Sequence, residues 1–504
     1  MFNFLRPRSL SMQPQAAAEP WPLDQRLFSW SKRDHWTIRD STNGTFVTGI
    51  SGSGKTSGPA EAIAMAHLRN GFGGIFHAVK ADDTALALEW ARRAGRMDDV
   101  ILFGAKHPAR FNFLDYELSR PGEGAGLTDN IVDLLLNVSE IRDRKSGSGG
   151  GGENAEFFAA AKKQILRVTI DVLARAKGRV SVPDIYSMVT SAPTSREEFN
   201  SPQWQQRSPC YKWMVEAAER AKSNARDEFK SDLDLAGAYW CDEFPQMGDR
   251  TRASIVSSVT GTIDTLNRGY MRRLFSENTN FVPDSLGDGR ILIHTMSVKE
   301  FGEVGAMTQV VMKFAAQKAI ERRDIRVSPR PVFLHLDEFQ ALITSADSIF
   351  ATTCRSARAS FVLLTQTLPT IYSALGGGDK AKQEVSSLIS NLKLKIFCAN
   401  SDPDTTKFAA DLVGRARQYT ISANTQRSCS NDLIDALGGG SSNTTAGVTE
   451  VWEYDLQPAE LGYLKTGGPE NGFCVEAIIH KTGYRFWSTG RNWMKVNFNQ
   501  NSQG

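Results

Sequence analysis

Apolar and polar positions alternate in two distinct rhythms along the 504 residues. From Thr45 a short β-prone run, Thr45-Phe-Val-Thr48, leads into glycines and then into the helix-prone Ala60–Leu68. A second apolar run, Gly74–Val79, precedes a helical pattern over Thr84–Ala94, and a third strand is predicted at Val100–Phe103. Strands alternating with helices predict a parallel sheet covered on both faces. Near residue 115 the rhythm changes. Residues 127–275 carry mostly helical periodicity, with long stretches at Glu156–Ala176 and Tyr211–Ala236. Strand runs then resume at Arg290–His294, Pro331–Leu336, Ser360–Thr365 and Leu394–Cys398. The order predicts one α/β domain interrupted by an all-α insertion. The expected divisions are a loosely ordered arm over 1–40, a first α/β part over 41–120, the insertion over 121–280, a second α/β part over 281–493 and a frayed tail over 494–504. Two glycine-rich stretches, Ser146–Gly152 and Leu437–Thr445, read as exposed loops.

Composition changes this picture little. Hydrophobic residues make up 41% and charged residues 23%, as in an ordinary soluble globular protein. The net charge of +3 neither requires nor excludes a nucleic-acid partner, because a ring can concentrate basic residues along one channel. The six cysteines stand far apart and form no CxxC, which points to reduced thiols rather than a zinc site or disulfide framework. No stretch approaches the roughly 18 apolar residues that a spanning helix needs. The apolar start of the chain is broken by Arg6, Pro7 and Arg8, too early for a signal-peptide core.

The strongest chemistry lies in Gly49-Ile-Ser-Gly-Ser-Gly-Lys-Thr56, a full match to G-x-x-x-x-G-K-[ST]. The glycines at 49, 52 and 54, with Ser51 and Ser53 between them, let the backbone curl so that its N–H groups point at phosphates. Lys55 would reach the β- and γ-phosphates of ATP, and the Thr56 hydroxyl would ligate Mg²⁺. A chance Gly/Ser turn is the bland alternative, but a β-run before and a helix after are the context the motif requires. Pro59 lies early in that helix and removes one i→i−4 bond. A P-loop also needs a carboxylate at the end of a buried strand. Asp337-Glu338, directly after Val332–Leu336, fits: Asp337 for the Mg²⁺, and Glu338 to orient or deprotonate the attacking water. Alone, such a pair is as readily a solvated strand end. His335 within the apolar run reads as a satisfied or edge-facing histidine rather than a catalytic one.

Gln366 ends the Ser360–Thr365 run and is a candidate to sense the γ-phosphate or position water. A polar residue that simply terminates a strand is the plain reading. Just upstream, Cys354-Arg-Ser-Ala-Arg358 offers two arginines, of which Arg355 is the preferred candidate for a finger reaching a neighbouring subunit's ATP; surface salt-bridging is the alternative. The basic runs around Arg272-Arg273 and Arg322–Arg330 read first as solvated faces and second as contacts to a phosphate backbone.

Taken together, Gly49–Thr56, the long gap holding a helical insertion, Leu334-His-Leu-Asp-Glu-Phe-Gln340 and Arg355–Gln366 resemble the coupling ATPases of type IV secretion and conjugation. These are the TraG/TraD-like proteins of the FtsK/HerA-type RecA superfamily. Arg110-Phe-Asn-Phe-Leu114, Ser387–Leu392 and Leu456–Leu464 add further likeness, so the resemblance spans most of residues 40–480. It implies a RecA-like nucleotide domain, a homohexameric ring with ATP sites between subunits, and an all-α domain at the cytosolic mouth of the pore. It further implies that DNA with its bound relaxase is received and fed to a type IV secretion channel. In the same likeness Arg355, eleven residues before Gln366, stands where the family carries its trans-acting arginine. Two departures stand out. Phe113 replaces the usual proline, and the transmembrane helices with which most members open are not found, so a membrane link is expected only through a partner. A related motor for protein cargo or for assembly of the secretion machine is the second expectation. An ATP-gated adaptor without productive turnover is the third.

Overall fold

The computed structural model describes residues 20–145, 153–224, 227–427 and 442–501. Its centre is a nine-stranded sheet. In chain order the strands are β3 (Thr45–Thr48), β4 (Gly73–His77), β5 (Val100–Phe103), β6 (Ile291–His294), β7 (Val332–Leu336), β8 (Ala359–Thr365), β9 (Leu394–Phe397), β12 (Cys474–Lys481) and β13 (Trp493–Asn499). Two ribbons complete the strand set: β1 (Arg26–Ser29) with β2 (His35–Thr37), and β10 (Arg415–Arg427) with β11 (Ser442–Tyr454). The spatial order in the large sheet is β13-β12-β9-β3-β8-β7-β4-β6-β5. All pairings from β9 to β5 are parallel, and only β12 and β13 run antiparallel. Strands β3, β4, β7, β8 and β9 are buried along their whole length, as expected of parallel strands with both faces covered. The fold is therefore α/β with a mainly parallel sheet, as the strand–helix rhythm predicts.

The insertion replaces a simple crossover. β5 and β6 are neighbours in the sheet, yet residues 104–290 intervene, including the helices Thr128–Lys145, Glu153–Lys177, Pro209–Asn224 and Asp249–Asp264. Apolar side chains of the insertion, including Leu135, Leu166, Ile170, Ile185, Trp240 and Val259, join one continuous core with Leu292, Val310 and Leu334 of the sheet domain. The helical stretch expected over Tyr211–Ala236 is helix at Pro209–Asn224 and Asp227–Ala238, with residues 225–226 outside the described residues. Among the described residues no helix is long and apolar enough to cross a membrane.

Two boundaries differ from expectation. Within the supposed arm, residues 20–40 are folded: Trp36 and Ile38 are fully buried, and the buried Asp34 carboxylate accepts from the backbone N–H groups of Trp487 (2.7 Å) and Ser488 (3.1 Å). Those few apolar anchors outweigh the polar composition around them. The supposed tail after Trp493 is an edge strand instead of a frayed end. Trp493, Met494, Val496 and Phe498 are buried while Lys495, Asn497 and Asn499 face out, the period-two pattern of a half-covered strand. Of the glycine-rich loops, Ser146–Gly152 lies outside the described residues, as do 437–441; from Ser442 the second is strand backbone.

Candidate nucleotide site

In a parallel sheet the C-terminal strand ends share one edge, and ligands bind there. The register puts Thr48 of β3 opposite Thr365 of β8, and Leu336 of β7 opposite Leu363 of β8. Hence Gly49–Thr56, Asp337-Glu338 and Gln366 leave the sheet along the same edge. β8 lies between the P-loop strand and the carboxylate strand, so Gln366 emerges between them. The Gln366 carbonyl is held by the Thr48 hydroxyl (2.8 Å) and the Asn400 amide (2.9 Å).

The glycines of the loop have steric reasons. Gly54 sits at φ +78°, and a Cβ there would come within 2.4 Å of a Val475 methyl and 2.9 Å of the Thr466 carbonyl oxygen. Neither the backbone nor the space admits a side chain. After Lys55 the helix opens with a π-type turn, Thr56–Ala60. Ala60 N–H bonds to the Lys55 carbonyl five residues back (3.0 Å), so Pro59, which has no N–H, is absorbed by widening the turn. The regular helix Glu61–Arg69 follows.

The side chains converge. Thr56 Oγ1 donates to Asp337 Oδ2 at 3.0 Å. Glu338 Oε1 lies 3.6 Å from Lys55 Nζ and accepts from Gln366 Nε2 at 3.1 Å. Glu338 itself holds a left-handed backbone, φ +50° and ψ +45°, unusual for a residue with a side chain. Strain of this kind persists only where surrounding contacts enforce it, and it concentrates at functional sites. Lys55, Asp337 and Glu338 are all buried. Burial pushes the Glu338 carboxyl up, but hydrogen bonds from Gln366, Gln340 and Lys80, with the Lys55 charge, outweigh it and hold the pKa down to about 2. Glu338 is thus a fixed anion at neutral pH.

Two participants escaped the sequence reading. Lys80, three residues past the end of β4, places Nζ 2.9 Å from Glu338 Oε1 and 3.8 Å from Asp337 Oδ2. Gln340 donates to Glu338 Oε2 at 2.8 Å and accepts from the Thr365 hydroxyl at 3.0 Å. β4 is the direct neighbour of β7, which is why Lys80 reaches the carboxylates. The available signal was position alone: both lie within a few residues of a strand's C-terminal end.

Arg355 is not brought to this cluster. It is exposed in the turn before β8, at the opposite end of that strand from Gln366. Seven strand residues at ~3.3 Å each put it roughly 20 Å away along the sheet, beyond reach of its own chain's site. Arg358 is buried and donates to the carbonyls of Trp21 (3.3 Å) and Pro329 (3.2 Å). Most of the basic runs also act as internal struts. Arg323 donates to the Arg330 and Ala357 carbonyls, both at 2.7 Å, Arg322 pairs with Glu117 at 3.0 Å, and Arg330 stacks on Trp21. His335 is buried against Phe76 and Trp90, and burial pushes its pKa down to about 4 despite Asp337.

The residues present fit a nucleotide with its magnesium ion. Ser53 Oγ is buried in the loop without a hydrogen-bond partner, and Thr56 and Asp337 present adjacent oxygens. Fold and site define a RecA-like P-loop nucleotide-binding protein. Its sequence matches the model of the family "Type IV secretory system Conjugative DNA transfer" over residues 13–446, and the chain belongs to that family. Similar solved structures share the fold at low identity. The unbound bacterial conjugative coupling protein TrwBdeltaN70 superposes with a TM-score of 0.59 at 14% identity, covering 94% of this chain and 88% of that one. The plasmid coupling protein TrwB in complex with ADP and Mg²⁺ gives 0.58 at 14% identity, covering 94% and 88%. TrwB with the non-hydrolysable analogue ADPNP gives 0.57 at 16% identity, covering 92% and 87%. No curated protein matches in sequence.

Proposed function

We propose that this chain is the ATP-hydrolysing motor of a conjugative or type IV secretion system, which receives DNA with its bound relaxase and drives it toward the secretion channel. The observation that carries the reading is the convergence of Lys55, Thr56, Asp337, Glu338 and Gln366 on one sheet edge, in a chain of the conjugative DNA-transfer family. That TrwB structures hold ADPNP, or ADP with Mg²⁺, supports ATP and Mg²⁺ as the ligands here.

In this reading the backbone of Gly49, Ser51, Gly52, Ser53 and Gly54 cradles the phosphates, and Lys55 leaves Glu338 to neutralise their charge. Thr56 would hold the magnesium directly, with Asp337 fixing that hydroxyl at 3.0 Å and supplying a second oxygen. The ion would neutralise charge developing on the leaving phosphates. Glu338 orients the attacking water, its carboxylate steered by Gln366 and Gln340. With its pKa held near 2, it acts by accepting a hydrogen bond from water, and becomes a somewhat stronger base as the Lys55 charge turns toward the phosphates. Because Arg355 lies at the far end of β8, it would act on the neighbouring subunit's ATP, which requires a ring such as a homohexamer. The protein would work in the cytoplasm, at the inner face of the membrane through a partner. The test is ATP-Mg turnover by the purified protein beside Lys55→Ala and Asp337→Ala. Turnover lost in both supports the reading, and turnover that survives Lys55→Ala sinks it.

One observation favours protein cargo as a second reading. The insertion holds a groove of about 840 Å³ whose lining includes the apolar side chains of Phe199, Tyr211, Met214, Leu233 and Cys241, a surface to which a polypeptide segment could bind. A pull-down that returns secreted proteins but neither DNA nor relaxase would select it.

A further inference from the structure

We propose that Lys80 is a positioning residue of the ATPase site, holding the Glu338 carboxylate in its working orientation once Lys55 has turned to the phosphates. The inference rests on the ATPase reading above and assigns a role that the P-loop and strand-end carboxylates do not supply.

Glu338 Oε1 is the crowded atom of the site: Lys80 Nζ stands 2.9 Å away, Gln366 Nε2 3.1 Å and Lys55 Nζ 3.6 Å. Of the two cations, Lys55 belongs to the phosphate loop, so nucleotide binding draws it off. Lys80 is then the cation left beside the Glu338–Asp337 pair, because its backbone is anchored elsewhere. The Asp83 carboxylate accepts from the N–H groups of Val79 (2.8 Å) and Lys80 (2.7 Å), fixing the turn after β4 at the head of the helix Asp83–Arg93. That turn is further tied down where Gln309 Oε1 accepts from Ala78 N–H at 2.9 Å. The Lys80 ammonium therefore projects from a rigid support on the strand next to β7.

Such a support has a specific task. The left-handed Glu338 backbone sets where the side chain starts, but leaves its torsions to be fixed by contacts. Gln340 holds Oε2; Lys80 and Gln366 hold Oε1. Without Lys80 the carboxylate keeps only neutral donors after nucleotide binding, and a carboxylate that swings loses its line to the attacking water. The charged groups around the pair are Lys55 from the P-loop, Lys80 and Asp83 from the β4 turn, and Asp337 from β7. The Lys80 side chain remains 43% exposed, so its substitution leaves the packed core intact.

The test is steady-state ATP hydrolysis by wild type, Lys80→Met, Lys80→Arg, Glu338→Gln and the Lys80→Met/Glu338→Gln double variant, beside Lys55→Ala. Lys80→Met is expected to lower kcat by about tenfold or more, the usual scale for a supporting contact, with KM for ATP-Mg within about twofold of wild type. Lys80→Arg restores most of the rate, and Lys80→Met adds no further loss in the Glu338→Gln background, because it acts through that carboxylate. Wild-type kcat in Lys80→Met overturns the proposal. So does an equal fractional loss in both backgrounds, which would mark a merely structural role. A wild type no faster than Lys55→Ala removes the ATPase reading itself and this role with it, and that result is distinct from the other two.

Discussion

Replacing Glu338 by Gln should separate nucleotide binding from hydrolysis, with opposite signs. The cluster contains two cations, Lys55 and Lys80, facing two carboxylates, Asp337 and Glu338. Removing one negative charge leaves the site more positive by one unit where a phosphate chain is to bind. The Lys55–Glu338 separation of 3.6 Å sets the scale. At an effective dielectric of ~20, the gross attraction is about 4–5 kcal/mol, and most of it is offset by lost hydration and competing donors. Even a net third of that, roughly 1.4 kcal/mol, is about a tenfold change in affinity. Glu338→Gln is therefore expected to bind ATP-Mg several-fold to about tenfold more tightly. Its single-turnover hydrolysis should fall by about 10²–10⁴, the range for losing a positioned acid–base group. Fluorescent-nucleotide titration and single-turnover hydrolysis on the same preparation read the two effects separately. Binding weakened by more than tenfold in a folded variant, or hydrolysis within threefold of wild type, would refute this account of the cluster.

Arg355→Ala should keep ATP affinity and lose turnover by about a hundredfold or more; mixing it with Lys55→Ala subunits should restore activity by pairing an intact P-loop with an intact arginine, and no recovery would rule out action in trans. The buried pair between Lys313 and Asp347, with Lys313 also bonded to the Leu342 carbonyl at 2.6 Å, ties the helix Val298–Arg322 to the segment after β7. Lys313→Met strands the buried carboxylate, so chemical denaturation should show a loss of about 3–5 kcal/mol, and no loss would mean the pair is not buried in solution. Acid should destabilise the fold: burial pushes the pKa of His67 and His77 well down, that of His294 to about 3 and that of His480 to about 4. Unfolded histidine titrates near 6.5, so the unfolded chain binds more protons below that pH, and each such proton removes about 1.4 kcal/mol per pH unit. Burial raises Asp83 and Asp171 to about 6, which acts in the opposite sense between roughly pH 4 and 6, but the histidines outnumber them. The unfolding temperature should therefore fall between pH 7 and 5 and change little between 7 and 8, and a flat profile across 5 to 7 would contradict the burial of these rings.

What was legible in the sequence is what local chemistry encodes. Gly49–Thr56 holds its whole function in eight consecutive residues, and the strand before it and the helix after it are visible as apolar runs. Asp337-Glu338 could be read because a fully apolar strand precedes them. Lys80 and Gln340 could not, since their roles depend on β4 lying beside β7 and on β8 lying beside both β3 and β7, pairings between segments up to hundreds of residues apart. The folded segment 20–40 was hidden by the Pro, Gln, Ser and Ala content of the 1–40 stretch taken as a whole, although Trp36 and Ile38 decide its fate by burial. β13 was missed because its polar residues alternate with apolar ones, and the polar half was read without the other. The arginines of the basic runs went the other way: charge on paper became internal carbonyl contacts once the chain folded.

The central claim is that this site converts ATP hydrolysis into movement of DNA. The direct measurement is ATP turnover by purified protein with and without single- and double-stranded DNA, beside Lys55→Ala. The account predicts strong stimulation by DNA that weakens as salt screens the phosphate backbone, and its loss in Lys55→Ala. Turnover that is already maximal without DNA and indifferent to its addition would contradict it.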